Sequence, residues 1–305
     1  MARIAILLST CNGERFLAEQ LDSFERQTHR DWVLYWRDDG STDDTRRCMR
    51  DFANRQVPGR RVILSDPGRY GATESFLRLL RAAVRDGHGF FAFADQDDVW
   101  MPGKLARGGA ALEAVPGGVP ALYFARQKLV DERLRPTGLS PRLRRSPGFL
   151  AALTQNVATG CTMMLNRAAA ELISTSTAPA AANHDWWCYL LVAGAGGRLL
   201  SDPVPVVLYR QHHGNAVGAP AFYLGRGLAA LRRGSGAFMN ILRQNVFALA
   251  DQKDLLAAPA RAQVTAMAQA LGGSAMCRVR ALRMPGLRRQ TWPETLLFRL
   301  WFLVG

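Results

Sequence analysis

Four short, almost uninterrupted apolar runs punctuate the first hundred residues: RIAILLS (3–9), WVLYWR (32–37), RVILS (61–65) and GFFAFA (89–94). None alternates polar with apolar residues, so as strands they must be covered on both faces. The stretches between them carry helical spacing instead. Phe16, Leu17, Leu21 and Phe24 lie within a helix over 14–26, a second helix runs from about Thr42 to Phe52, and a third covers Ala72–Arg85. Ser41 or Thr42 is placed to cap the second helix, and Asp43 and Asp44 suit the dipole of its first turn. Strand–helix alternation predicts an α/β fold whose mostly parallel sheet carries helices on both faces. In such sheets ligands sit at the carboxyl ends of the strands. That rule selects Thr10–Glu14, Asp38–Asp44, Asp66 and Asp95–Asp98.

The pattern is mixed from 101 to 220. Residues 103–114 read as a helix, 121–130 as extended, 131–148 as a Pro/Arg-rich loop, and 159–165 as a strand. Helices over 167–174 and 185–193 and a strand over 205–210 follow. Beyond 219 the chain turns to Ala/Leu/Arg-rich helical stretches, interrupted at Gly234-Ser-Gly, Pro259, Gly272-Gly and Pro285-Gly. The division expected is a catalytic unit over 1–218 and a basic α-helical region over 219–305.

Charge adds to this. The net charge is +14, and residues 221–305 hold twelve basic residues against Asp251, Asp254 and Glu294. Such an excess either fits an anionic partner or forms a solvated basic surface. Nucleic acid is disfavoured, because the basic residues are not interleaved with aromatics in a binding motif. No apolar run is long enough to span a bilayer, yet TLLFRLWFLVG (295–305) could lie on an anionic one. Packing on the catalytic unit, or on a second copy in a homodimer, is the alternative. The five cysteines (11, 48, 161, 188, 277) form no C-x-x-C pair, which points to a reducing, cytoplasmic compartment, at or near the inner face of the membrane if the tail docks.

The chemistry is carried by carboxylates. Asp95 and Asp97, in a turn after the most apolar strand, can converge on one hard divalent cation (Mg²⁺ or Mn²⁺) that would neutralise a departing diphosphate. Otherwise the segment is an acidic turn capping the helix after Pro102. Asp38 and Asp39 can accept from a base imide or ribose hydroxyls, or serve the following helix as caps.

The motifs L-S-T-C-N-G-E-R-F-L (8–17), R-D-D-G-S-T-D-D-T (37–45) and F-A-D-Q-D-D-V-W-M-P-G-K-L (93–105) together resemble family 2 glycosyltransferases of the GT-A fold. The third looks like the rhamnosyltransferase branch. N-V-A-T-G-C-T-M-M-L-N-R (156–167), H-D-W-W (184–187) and Y-R-Q-H (209–212) continue the likeness, which covers roughly residues 3–218. The resemblance implies that Thr10, Asn12, Glu14 and Asp39 hold the nucleotide's base and ribose. It makes Asp95 and Asp97 the two acids of a D-x-D motif, with Asp97 nearer the metal and Asp95 nearer ribose and diphosphate. Asp185 would be the general base of an inverting reaction, and Thr159 and Gly160 would let backbone approach the donor sugar. Lys104 and Arg210 are further candidates for phosphate contacts. His212 is either an additional metal or diphosphate ligand or a structural histidine. Trp186 and Trp187 either stack on acceptor sugars or belong to the core.

The resulting expectation is transfer of a sugar from a nucleoside-diphosphate donor to a glycan or lipid-linked acceptor in bacterial cell-surface polysaccharide synthesis. By resemblance the donor is dTDP-rhamnose, with UDP-hexose or UDP-N-acetylhexosamine as the second choice. A dehydrogenase is disfavoured because the first turn, T-C-N-G-E, lacks a dinucleotide fingerprint. A sugar-phosphate nucleotidyltransferase would show a Gly- and basic-rich first turn, and here only Gly13 and Arg15 are present.

Overall fold

A computed structural model describes residues 2–57, 60–63, 68–212 and 223–305. The first part is the expected alternation: β1 (Ile4–Thr10), α1 (Glu14–Glu25), β2 (Trp32–Asp38), α2 (Thr45–Arg55), β3 (Arg61–Ile63), α3 (Gly71–Arg85) and β4 (Phe90–Ala94). These strands lie parallel in the order β3-β2-β1-β4, with Thr10 opposite Asp38 and Leu8 opposite Ala94. The carboxyl ends of β1, β2 and β4 therefore open on one edge. The α2 helix starts at Thr45, later than its sequence suggests, because Ser41 and Thr42 hold the preceding turn instead. Asp66 lies outside the described residues.

The sheet continues through β5 (Val99–Trp100), α4 (Lys104–Glu113), β6 (Ala121–Val130), β7 (Pro136–Leu139), α5 (Phe149–Thr154), β8 (Met164–Asn166), α6 (Arg167–Ser174), α7 (His184–Gly194) and β9 (Arg198–Arg210). Beyond β4 the order is β8-β6-β9-β5, with β8 antiparallel to both neighbours and β6 parallel to β9. Three sequence expectations change. The Pro/Arg-rich loop contains β7, paired with β6; the strand expected over 159–165 begins only at Met164, after a 3₁₀ turn at Gly160–Thr162; and the strand expected over 205–210 begins at Arg198.

Alternate residues of β1 feed opposite layers. Ile4, Ile6 and Leu8 pack with Leu17, Leu21, Phe24, Phe52 and Trp100, while Ala5 and Leu7 face Phe76, Leu80, Phe91 and Phe93. The second layer does not end with α3 and α7. The helices α8 (Tyr223–Asp251), α9 (Ala258–Gly272), α10 (Ala275–Ala281) and α11 (Trp292–Val304) join the same cluster through Met239, Leu242, Val246, Val264, Met267, Phe298 and Phe302. The α8 helix runs through the Gly234-Ser-Gly sequence that was expected to interrupt it. No helix among the described residues is long and apolar enough to cross a membrane.

Candidate active site

One cavity of about 1000 Å³ opens at the carboxyl edge of the parallel strands. Asp39, Asp95, Asp97, Thr159, Gly160 and Asp185 all line it, although they come from four separate segments.

Asp39 follows β2. Its carboxylate accepts from Arg37 Nη1 (2.6 Å), the backbone N–H groups of Tyr70 and Gly71 (both 2.8 Å) and Ser75 Oγ (3.1 Å). Burial works to raise its pKa, but these hydrogen bonds outweigh it and hold the acid below the usual carboxylate range. Arg37 is fully buried beneath it and also donates to Ser75 Oγ at 2.6 Å. Sequence reasoning left Arg37 without a role, though it stands inside the R-D-D-G motif.

The other residues assigned to the nucleotide do different work. Thr10 is buried, donating to Asp38 Oδ1 (3.2 Å) and accepting from Trp36 Nε1 (3.0 Å), so its hydroxyl is spent in the cavity floor. Asn12 and Glu14 are absent from the cavity lining, which corrects their expected placement. Asn12 adopts φ +50° and its Oδ1 accepts from Thr42 N at 2.8 Å, while Glu14 Oε2 accepts from Asp44 N at 2.6 Å. In return, Gly13 N donates to Thr45 Oγ1 (2.7 Å) and Glu14 N to Asp43 Oδ2 (3.1 Å). The loops after β1 and β2 are thereby locked to each other. Gln96 adds a two-way clamp on Cys11, at 2.8 and 2.9 Å.

The acidic turn after β4 concentrates negative charge. Burial, then the charges of Asp97 and Asp185, push Asp95 up to about 7, with Lys104 opposing them. Asp98 is fully buried, accepts from Arg210 N at 3.1 Å, and is held well above the carboxylate range by burial and by Asp97 and Asp95. Asp97 Oδ2 meets His212 Nε2 at 2.8 Å, so the structure does bring His212 to the D-x-D turn.

Lys104 and Arg210 are not placed for phosphate. Lys104 is fully buried, donating to Cys161 O at 2.6 Å with its ammonium 3.1 Å from the centre of the Trp100 ring. Burial pushes its pKa well below the usual lysine value. As the first residue of α4 it points back under the turn. Arg210 is buried too, with Nε on Asp97 O (2.8 Å) and its other nitrogens on Glu132 O and Glu19. It lines a second cavity, with Arg15 and Phe16, and braces the acidic turn from behind.

The charge excess at the turn fits a cation. Asp95, Asp98 and Cys161 offer ligand atoms within 4.8 Å of one another, a group that does not include Asp97 or His212. The Cys161 thiol is fully buried and raised well above its usual pKa, first by burial and then by Asp98 and Asp95, so it stays protonated. A hard cation prefers carboxylate oxygen to such a thiol. Asp95 and Asp97 both reach the cavity surface, with His212 beside Asp97.

Asp185 lies in the first turn of α7. Its Oδ2 accepts from Gly160 N at 3.1 Å and its Oδ1 from Trp186 N at 2.6 Å, which fixes the carboxylate against the 3₁₀ turn. A Cβ at Gly160 would stand 2.6 Å from His184 Nε2, so only glycine admits this approach. His184 is packed on Phe76, with ring centroids 4.0 Å apart, and burial lowers its pKa. Trp187 is core, its indole donating to Ser176 Oγ at 2.9 Å. Trp186 donates to Ala152 O at 2.7 Å while one edge reaches the cavity.

The remaining wall lies outside the sequence motifs. Phe238 and Ile241 of α8, with Glu294 and Trp301 of α11, also line the cavity.

Comparisons with known proteins agree with this architecture. The model of the glycosyl transferase family 2 matches residues 5–173. A dTDP-rhamnosyl transferase, RfbG of Shigella flexneri, is 28% identical over 222 residues, covering 70% of this chain and 74% of its own. The Escherichia coli UDP-Glc:alpha-D-GlcNAc-diphosphoundecaprenol beta-1,3-glucosyltransferase WfgD is 28% identical over 102 residues, a third of this chain (33%) and 38% of its own. Among solved structures, residues 1–349 of Staphylococcus aureus TarS in complex with UDP superpose with a TM-score of 0.55 at 15% identity, over 90% of this chain and 73% of that one. The Pyrobaculum calidifontis mannosyltransferase PcManGT, in complex with GDP-Man and Mn2+, gives 0.53 at 20% identity, over 99% and 86%. The fold is of the GT-A type, extended by C-terminal helices.

Proposed function

Since this chain belongs to glycosyl transferase family 2, we propose that it is a metal-dependent, inverting enzyme that moves rhamnose from dTDP-rhamnose to a glycan or lipid-linked saccharide acceptor. The observation that carries the mechanism is the one cavity that brings together Asp39, the Asp95–Asp97 turn and Asp185, the last fixed on the Gly160 backbone.

In this reading Asp39, held ionised by its ring of donors, accepts from the base or ribose. Asp95 and Asp97 would hold the divalent cation, with His212 orienting Asp97. Bound there, the cation would supply Lewis-acid stabilisation of the leaving diphosphate. Asp185 takes the proton of the acceptor hydroxyl as that oxygen attacks the anomeric carbon and the bond to the diphosphate breaks. Its two backbone donors leave the carboxylate an acceptor of fixed direction, which suits a base. No protein nucleophile is needed for inversion. Thr159 and Gly160 bring backbone, without a side chain at 160, to the donor sugar.

The likeness to a dTDP-rhamnosyl transferase over most of the chain supports the donor choice. A UDP-hexose or UDP-N-acetylhexosamine donor is the second reading, supported by the shorter match to a UDP-Glc-dependent enzyme. Residues 1–218 would carry donor chemistry, and 219–305 the acceptor wall. A panel of nucleotide sugars assayed for donor hydrolysis with Mg²⁺ or Mn²⁺ tests this. Turnover is expected to be fastest with dTDP-rhamnose; preference for a UDP-sugar would replace the donor, and no hydrolysis of any donor would overturn the reading.

A further inference from the structure

The described residues contain eleven exposed large hydrophobic side chains, and six of them fall between 276 and 304: Met276, Val279, Trp292, Leu296, Leu300 and Val304. Four lie on α11, whose inner face is core and cavity wall. At 100° per residue Trp292, Leu296, Leu300 and Val304 fall within one arc of about 120°, and Phe298, Trp301 and Phe302 fall opposite. The helix is thus apolar on both sides, and the outer side is exposed, with no covering element among the described residues. Trp292 is 69% exposed and Val304 79%.

The exposed charges between 275 and 305 have one sign. Arg280, Arg283, Arg288 and Arg299 are exposed on α10, α11 and the segment between them. The one acid from 275 to 305, Glu294, is buried and closes a capping box with Thr291. We propose that α11, with α10 beside it, is a docking face for an anionic lipid bilayer. Apolar side chains with a tryptophan at one end suit the acyl–headgroup boundary, and arginines at the rim suit anionic headgroups. An isologous contact between two copies through 275–305 would instead bring these arginines together with no exposed acid of that segment to pair them.

The face is rigidly tied to the catalytic layer. Gln290 Oε1 accepts from Arg144 N (2.8 Å) and Arg145 N (3.0 Å), Gln290 N donates to Gln155 Oε1 (3.0 Å), and Arg278 Nη1 donates to Leu303 O (3.2 Å). Because Glu294 and Trp301 on the inner side line the cavity, docking would set the far end of that cavity one helix diameter from the bilayer. The proposal does not depend on which sugar is transferred, or on transfer at all.

Flotation of the full chain tests it, using phosphatidylcholine vesicles with and without phosphatidylglycerol. The chain is expected to float only with the anionic vesicles and to be released by high salt. The double variant Leu296→Ser/Leu300→Ser should lose binding by roughly tenfold or more, and Arg283→Glu/Arg299→Glu should lose it too, with melting temperature and nucleotide affinity unchanged. No flotation with anionic vesicles would overturn the proposal, as would serine variants that float like the parent. So would a dimer, seen by sedimentation, that the serine variant converts to monomer without any vesicle binding.

Discussion

At the proposed donor end of the cavity the walls come from the first hundred residues: Ser9 to Cys11, Asp39, Thr73, Phe76 and Asp95 to Asp97. They stand at or just after strand ends or in the first turns of α3, and the loops are bound together by short reciprocal hydrogen bonds. At the proposed acceptor end, Gln155, Trp186, Phe238, Gln290, Glu294 and Trp301 come from segments as far as 146 residues apart, joined by apolar packing and a small polar network. The difference is one of sequence distance. A donor site built from strand-end turns needs only a few neighbouring residues in order, whereas a wall assembled from α5, α7, α8 and α11 exists only once the whole chain has folded.

The largest effect expected from separating the two ends is at Asp185, which stands between them. Asp185→Asn should lower turnover by about 10²–10⁴-fold, the usual worth of a positioned base, and leave nucleotide affinity within about twofold. Near-normal turnover in the variant would send the proton elsewhere.

Phe298 tests whether the helical wall is part of the same cooperative unit. It is fully buried, next to Phe238 and Phe302. Phe298→Ala should cost about 3–5 kcal/mol in a single denaturant transition that also carries the catalytic layer. Two separate transitions, with nucleotide binding surviving the first, would make 219–305 an independent domain.

Asn12 probes the donor end alone. Asn12→Ala removes the acceptor for Thr42 N and Thr42 Oγ1, and is expected to cost about 1 kcal/mol and weaken nucleotide binding a few-fold. The acceptor KM should not move; if it moves and nucleotide binding does not, the loop serves the other end.

This contrast also explains what the sequence disclosed. The parallel strands were legible because each is apolar throughout, and the carboxylates Asp39, Asp95, Asp97 and Asp185 because they follow strands or open a helix within recognisable motifs. Side-chain direction was not legible. Asn12 and Glu14 sit in the same turn as Thr10, yet they reach sideways to the β2 loop. Lys104 follows the acidic turn in sequence and Arg210 meets it in space, but both lie beneath it, donating to backbone carbonyls. A motif fixes which residues are near a site, and only the packing of the next layer decides which of them face it. The helical wall was illegible for a different reason: its apolar residues read equally well as core, as a second copy's contact or as a membrane face, and α11 in fact presents apolar side chains both inward and outward.

In the proposed function, the Asp95–Asp97 turn holds a cation for the nucleoside diphosphate. Calorimetric titration of dTDP and UDP, with Mg²⁺ or Mn²⁺ and then with chelator, tests it most directly, on the parent chain and on Asp97→Asn. The expected result is binding that needs the divalent ion and falls by about tenfold or more in the variant. Equal affinity with and without the metal, in both proteins, would contradict it.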